Sequence, residues 1–240
     1  MPVPLTDVLE VIPAPPQQPF SFSQSGLKIH GAVNDNICIK AYGLLAEKLN
    51  IPPVHIHLHK IIPTGGGLGG GSSNGAFTLL ALNYIFNLNL SEDKLLAFAL
   101  QLGSDCPFFI KNKTCFVSGR GELLEPILLD LSQYKIVIVN PGVSVSTAGM
   151  FGKINSYKKG NHLKDAIQLS PEHWQKSITN DFEDVVFSLY PSLKMIKEKL
   201  YSTGATYASL SGSGSTVYGI FEKRINTDKI FFSDCFVYQF

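Results

Sequence analysis

Six glycines in seven positions, Gly65-Gly66-Gly67-Leu68-Gly69-Gly70-Gly71, restrict what this chain can be more than any other feature. They lie between two well-patterned segments. Before them, Val54, Ile56 and Leu58 alternate with His55, His57 and His59, as a half-buried strand requires. After them, Ala76 to Asn87 puts Ala76, Leu79, Leu80, Asn83 and Tyr84 on one side of a helix starting near residue 73. Backbone without Cβ atoms turns its N–H groups toward an anion and lets phosphate oxygens come close. The helix N-terminus adds unpaired N–H groups and partial positive charge. Ser72 and Ser73 add hydroxyl donors, or a contact to a phosphate-bound Mg2+. A flexible linker is a poor alternative, because ordering so many glycines between strand and helix needs compensation. The stretch Pro63, Thr64, Gly65, Gly66, Gly67, Leu68, Gly69, Gly70, Gly71, Ser72, Ser73 therefore reads as a phosphate loop. It is not a Walker A loop, since Gly71 stands where that motif needs lysine. No acidic residue closes a strand about 20 residues later, as a dinucleotide fingerprint demands.

With 240 residues the chain suffices for one large domain or two modest ones. Tyr134 to Asn140 is an almost continuous apolar strand stopped by Pro141-Gly142, and a domain boundary is placed just before it. The expected division is residues 1–127 and 128–240. A formal net charge of +1 supplies no field for general nucleic-acid binding. No segment approaches the ~18 consecutive apolar residues that span a bilayer. Met1 to Asp7 lacks the basic and apolar regions of a signal peptide. Cys38, Cys106, Cys115 and Cys235 form no C-x-x-C pair, which fits reduced thiols in the cytoplasm.

Asp7 to Ile12 and Leu27 to His30 read as strands. Asn36 to Leu49 reads as an amphipathic helix with Asp35 or Asn36 as its cap. The three histidines of 54–60 share one strand face. They are read as a polar, solvent-facing edge rather than a metal site, because no carboxylate or cysteine is near in sequence. Ser91 caps a helix with Glu92 and Asp93 in its first turn and Leu95, Leu96, Phe98, Ala99 and Leu102 on its apolar face, and Gly103 stops it. Phe108-Phe109-Ile110 and Thr114 to Val117 read as short strands, and Lys158, Lys159 and Lys164 mark a solvated loop. Asp181–Leu189 and Ser192–Ser202 read as helices, followed by a strand over Thr216–Phe221.

Residues 60–74 resemble the second motif of the GHMP kinases, a family named for galactokinase, homoserine kinase, mevalonate kinase and phosphomevalonate kinase. The resemblance continues through Leu102 to Phe109, Gly119-Arg120-Gly121-Glu122, Asn140 to Thr147 and Leu210 to Ser215, in the family's order. It implies an α+β fold in two domains. The first is like domain 2 of ribosomal protein S5 and binds ATP with Mg2+. The second is ferredoxin-like and holds the acceptor. The double serine and Asn74 look most like members that phosphorylate the 2-hydroxyl of a cytidine diphosphate sugar alcohol in isoprenoid biosynthesis. Homoserine or mevalonate as acceptor, and a non-catalytic nucleotide-binding remnant, are the alternatives. The expected protein is a cytoplasmic monomer or homodimer with a small-molecule substrate, and no metal site of its own is expected.

The same resemblance assigns roles. Asp105 is the catalytic aspartate; from the residues alone it reads equally as a loop cap. Lys60, and with it Asn36, lies near the adenine. Gly212 and Gly214 belong to a second glycine loop beside the phosphates. Thr147 and Phe151 match a polar contact and an aromatic that stacks on cytosine; Ala148 stands where many relatives have proline. Two family features, a strand carrying Lys-Ile-Asn-Leu and an Asp-Gly-Tyr-His stretch, have no counterpart. Pro2 to Glu10 resembles the segment that follows them, so the chain resembles a member lacking about its first forty residues. Weak ATP binding and slow turnover are expected of such a chain.

Overall fold

A computed structural model describes residues 1–29, 31–154, 163–227 and 234–240. The chain divides into two compact units. One contains residues 1–62 and 69–127, the other residues 63–68 and 128–240.

The first unit is built on a three-stranded sheet. Strands β1 (Val8–Pro13), β2 (Ser21–Gly26) and β3 (Val54–Lys60) lie in the order β1-β3-β2. β1 runs antiparallel to β3 and β2 parallel to it. The alternation in β3 has the expected consequence. Val54, Ile56 and Leu58 are buried against Cys38, Ala41, Leu45, Leu79 and Leu82. Each large aliphatic side chain so buried contributes roughly 1.5–3 kcal/mol. His55, His57 and His59 face outward and meet the hydroxyls of Ser21, Ser23 and Ser25 at 2.5, 2.8 and 2.9 Å. Among the described residues no group of three or more His, Cys, Asp or Glu is placed to hold a metal ion.

That serine ladder corrects the expected strand at 27–30. The strand that pairs with β3 is Ser21–Gly26, in register Ser21↔His55 through Gly26↔Lys60. Gly26 then adopts φ +78, turning the chain out of the sheet before Leu27. His30 lies outside the described residues.

Among the described residues, four α-helices share the core on this side of the sheet. Helix α1 (Ile37–Leu49) starts at Asn36, whose side chain accepts a hydrogen bond from the Cys38 N–H at 2.9 Å. Helix α2 (Gly70–Ile85) begins earlier than the sequence suggests, with Gly70, Gly71, Ser72 and Ser73 as its first turn. Tyr84, expected on the apolar side, is 84% exposed. Helix α3 (Glu92–Leu102) is capped by Ser91. Residues 108–110 belong to helix α4 (Cys106–Lys111) and not to a strand. Pro107 is preorganised for a first helical turn, and a three-residue apolar run carries no period of its own. A hairpin of β4 (Cys115–Ser118) and β5 (Leu123–Pro126) completes the unit.

The second unit carries a four-stranded antiparallel sheet. Its strands are β6 (Lys135–Asn140), β7 (Tyr207–Leu210), β8 (Val217–Phe221) and β9 (Phe236–Gln239), in the order β7-β8-β6-β9. Helices α5 (Thr147–Phe151), α6 (Leu163–Ala166), α7 (Pro171–Ser177), α8 (Glu183–Leu189) and α9 (Pro191–Ser202) accompany it. Val137, Val139, Val186, Leu193, Leu200 and Val217 form its core. Lys158 and Lys159 lie outside the described residues. Among the described residues no helix is long and apolar enough to cross a membrane.

Candidate active site

The glycine run is shared between the units, and each part has its own support. In the second unit, residues 63–68 lie against the Ser211–Thr216 segment. The Thr216 N–H donates to the Gly66 carbonyl at 3.0 Å, and the Ser211 hydroxyl donates to the Gly67 carbonyl at 2.8 Å. These bonds consume carbonyls and leave amides free. Among the described residues, no hydrogen bond is donated by the N–H groups of Thr64, Gly65, Gly66, Gly67 or Leu68. Gly67 has to be glycine: φ is +74, and a Cβ would lie 2.1 Å from the Ser211 carbonyl oxygen. Asn140, at the end of β6, braces the segment from behind. Its side-chain amide donates to the Thr216 hydroxyl at 2.9 Å, and its carbonyl accepts from the Gly142 N–H at 2.8 Å. Asn180 holds the far side, donating to the carbonyls of Leu210 and Gly212 at 2.9 and 2.7 Å.

Thr147 and Phe151 sit one helical turn apart on α5. The Thr147 hydroxyl lies 2.7 Å from that of Ser213, between Gly212 and Gly214. Phe151 packs edge-on to Phe182 with ring centroids 4.9 Å apart, yet remains 53% exposed. The second unit therefore gathers residues 63–68, Gly212, Gly214, Thr147 and Phe151.

In the first unit, the loop enters α2 through Gly69, at φ +66. The Ser73 N–H closes the first helical bond, to the Gly69 carbonyl at 2.8 Å. The N–H groups of Gly70, Gly71 and Ser72 precede any intrahelical acceptor, as first-turn amides do. Asp105 stands next to this helix start. Cys106 meets Ser72 through its thiol, and burial pushes that thiol up to about 11. The ring of Phe109 lies behind Gly69. Asp105 begins α4 but makes no side-chain capping bond. Its carboxylate is exposed and, among the described residues, has no hydrogen-bond or ion-pair partner. The turn at Gly121 presses on the neighbouring backbone: φ is +113, and a Cβ there would lie 1.9 Å from the Ser104 carbonyl oxygen.

Lys60 is almost wholly buried, with its ammonium occupied. The Nζ donates to Asp7 at 2.5 Å and to the side-chain oxygen of Asn74, Oδ1, at 2.8 Å. Asp7 also accepts from the N–H groups of Ile61 and Ile62 at 2.7 and 2.8 Å, and from the Asn74 side-chain amide at 2.9 Å. Burial raises the Asp7 pKa, but these hydrogen bonds, with Ile62 and Lys60 foremost, outweigh it and hold the carboxyl below its usual range. Asp7, Asn140 and Asn180 went unassigned in the sequence. The only signal was positional: an acidic residue before a strand, and asparagines ending an apolar strand or preceding a helix.

Comparison with known proteins gives the family. Residues 36–113 match the model of the GHMP kinase N-terminal domain, and residues 160–231 that of the GHMP kinase C-terminal domain. A Bacteroides fragilis protein named 4-diphosphocytidyl-2-C-methyl-D-erythritol kinase is 45% identical over 239 residues, covering 99% of this chain and 87% of the relative. A protein of the same name from Bacteroides thetaiotaomicron is 47% identical over 222 residues, or 92% and 81% of the two chains. The crystal structure of a 4-(cytidine 5'-diphospho)-2C-methyl-D-erythritol kinase superposes with a TM-score of 0.72 at 29% identity, covering 89% of this chain and 76% of the other. Two family models and relatives this similar along nearly the whole sequence leave one conclusion: the chain belongs to the GHMP kinases.

Proposed function

We propose that this protein transfers the γ-phosphoryl group of ATP to the 2-hydroxyl of 4-diphosphocytidyl-2-C-methyl-D-erythritol. The observation that carries the transfer is the set of unspent amides, at residues 64–68 in one unit and at residues 70–72, the start of α2, in the other. Amides already oriented and without internal acceptors hold phosphate oxygens at little cost in reorganisation. The acceptor is taken from the relatives' printed names, and the exposed Phe151 ring offers a platform for its cytosine.

In this reading Pro63 to Ser73, with Gly212 and Gly214, hold the nucleotide phosphates, and Thr147 and Phe151 hold the acceptor. Lys60 takes part through its buried bonds beneath the loop. The unpartnered Asp105 carboxylate accepts the 2-hydroxyl proton as that oxygen bonds to the γ-phosphorus. The bond from γ-phosphorus to the β–γ bridging oxygen breaks, and ADP leaves. Such proton transfer contributes about 10²–10⁴-fold, and positioning supplies most of the remainder. Mg2+ bound with the nucleotide offsets the charge of its phosphate oxygens. Residues 1–127 serve as the nucleotide domain and 128–240 as the acceptor domain, in a cytoplasmic monomer or homodimer.

A substrate panel tests the proposal. With Mg-ATP, ADP release is expected with the cytidine diphosphate acceptor and absent with homoserine or mevalonate. Turnover of either of those, or no ADP with any acceptor, would contradict it.

A further inference from the structure

Three groups stand outside the reacting centre: the histidine–serine ladder on the β2–β3 face, the turn pressed on Ser104, and the buried cluster that Asp7 and Asn74 form around Lys60. The ladder is satisfied by its own hydrogen bonds and gathers no metal-ligand set. The turn bears on one backbone position only. The buried cluster reaches furthest.

We infer that Asp7 and Asn74, with Lys60, form a clasp that sets the shape of the phosphate loop; they are positioning residues for nucleotide binding. The inference rests on the proposed nucleotide site. Its geometry is specific. One carboxylate takes the N–H groups of Ile61 and Ile62, the last residues before the loop, at 2.7 and 2.8 Å. The same carboxylate takes Asn74, one residue beyond the loop, at 2.9 Å. Lys60 closes the ring to Asp7 and Asn74 at 2.5 and 2.8 Å. The side chains of Lys60 and Asp7 are 1% and 2% exposed. Both stems that leave the first unit are thus tied to a single buried point. The ammonium lies under the helix start too, 3.1 Å from where a Cβ on Gly70 would be.

Burying an ion pair is weak support for stability, since desolvation offsets most of the attraction. What the arrangement does supply is a fixed separation between residues 62 and 74. Gly65, Gly66, Gly67 and Gly69, which lie between them ahead of α2, have no such preference of their own. A loop whose stems wander would pay the ordering cost each time nucleotide binds.

Two variants test the clasp in the full chain. Asn74→Ala removes one stem's attachment. Asp7→Asn combined with Lys60→Met removes both charges together, so that no unpaired ion remains buried. Both are measured by calorimetric affinity for the non-hydrolysable analogue AMP-PNP with Mg2+, and by separate KM values for ATP and acceptor. Thermal unfolding identifies the folded fraction. Each folded variant is expected to lose about tenfold or more in AMP-PNP affinity, the scale of a buried hydrogen bond left unmade. The acceptor KM is expected to stay near the wild-type value. Wild-type AMP-PNP affinity in either folded variant overturns the clasp. So does a loss shared equally by both substrates, which marks a merely structural role. A wild-type protein that binds AMP-PNP but leaves the cytidine acceptor unphosphorylated sinks the acceptor assignment alone, and the affinity comparison still decides the clasp.

Discussion

Asp105 is a carboxylate with nothing to do inside its own fold. It is exposed at the start of α4, caps no helix and pairs with no cation among the described residues. Structural aspartates spend their oxygens, as Asp7 does on three neighbours and Lys60. Asp105→Asn keeps the shape and removes the base, so kcat is expected to fall by about 10²–10⁴-fold with little change in the KM for ATP. Steady-state kinetics with both substrates varied checks this. Gly121→Ala is expected to act on the same step from a distance. The new methyl cannot occupy a point 1.9 Å from the Ser104 carbonyl oxygen, so the Ser104–Asp105 backbone must shift. A misplacement of that kind costs up to about 10²-fold in kcat. Some of these single-residue facts were legible beforehand: glycine repetition announces a backbone that needs close approach, and Gly67 meets one. Asp7 and Asn74 were not legible as partners. Their contact spans 67 positions, and nothing in local pattern records it.

Helices and strands were readable where a period runs long enough. α1 and α3 follow their apolar spacing and their caps, and β3 follows its alternation. Ser91→Ala is therefore expected to cost about 1 kcal/mol through the lost α3 cap. In a chain of this size the unfolding temperature should drop by roughly 2–4 °C, with the KM for ATP unchanged. Scanning calorimetry beside the kinetic assay separates the two. Short or polar elements escaped. α4 has too few residues to display a helical period, and its opening by Pro107 is a boundary signal only. β2 reads Ser-Phe-Ser-Gln-Ser-Gly, with little of the β-branched character that marks strands. It forms because its serines face the β3 histidines, a fact of pairing rather than propensity. β9 likewise exists through its partner β6.

As a molecule, the chain holds two cores, and the glycine run passes from one unit to the other at the Leu68–Gly69 bond. The resemblance carried the two-part α+β plan, but the sequence did not show residues 63–68 leaving the unit that surrounds them in the chain. Stability should carry a trace of the Asp7 clasp. The folded carboxyl sits below its ordinary value of 3.8, so its stabilisation is complete above that pH and disappears as pH falls through the lower folded value. Replacing both partners, Asp7→Asn with Lys60→Met, should flatten this acid limb in denaturation curves recorded from pH 5 to pH 2. The unspent loop amides are what make the chain a kinase in this reading, and amide hydrogen exchange observes them without intermediary. Adding AMP-PNP with Mg2+ should slow exchange across residues 64–72 more than anywhere else in the chain. Saturating binding that leaves those amides exchanging at their free rate would show that the phosphates are held elsewhere.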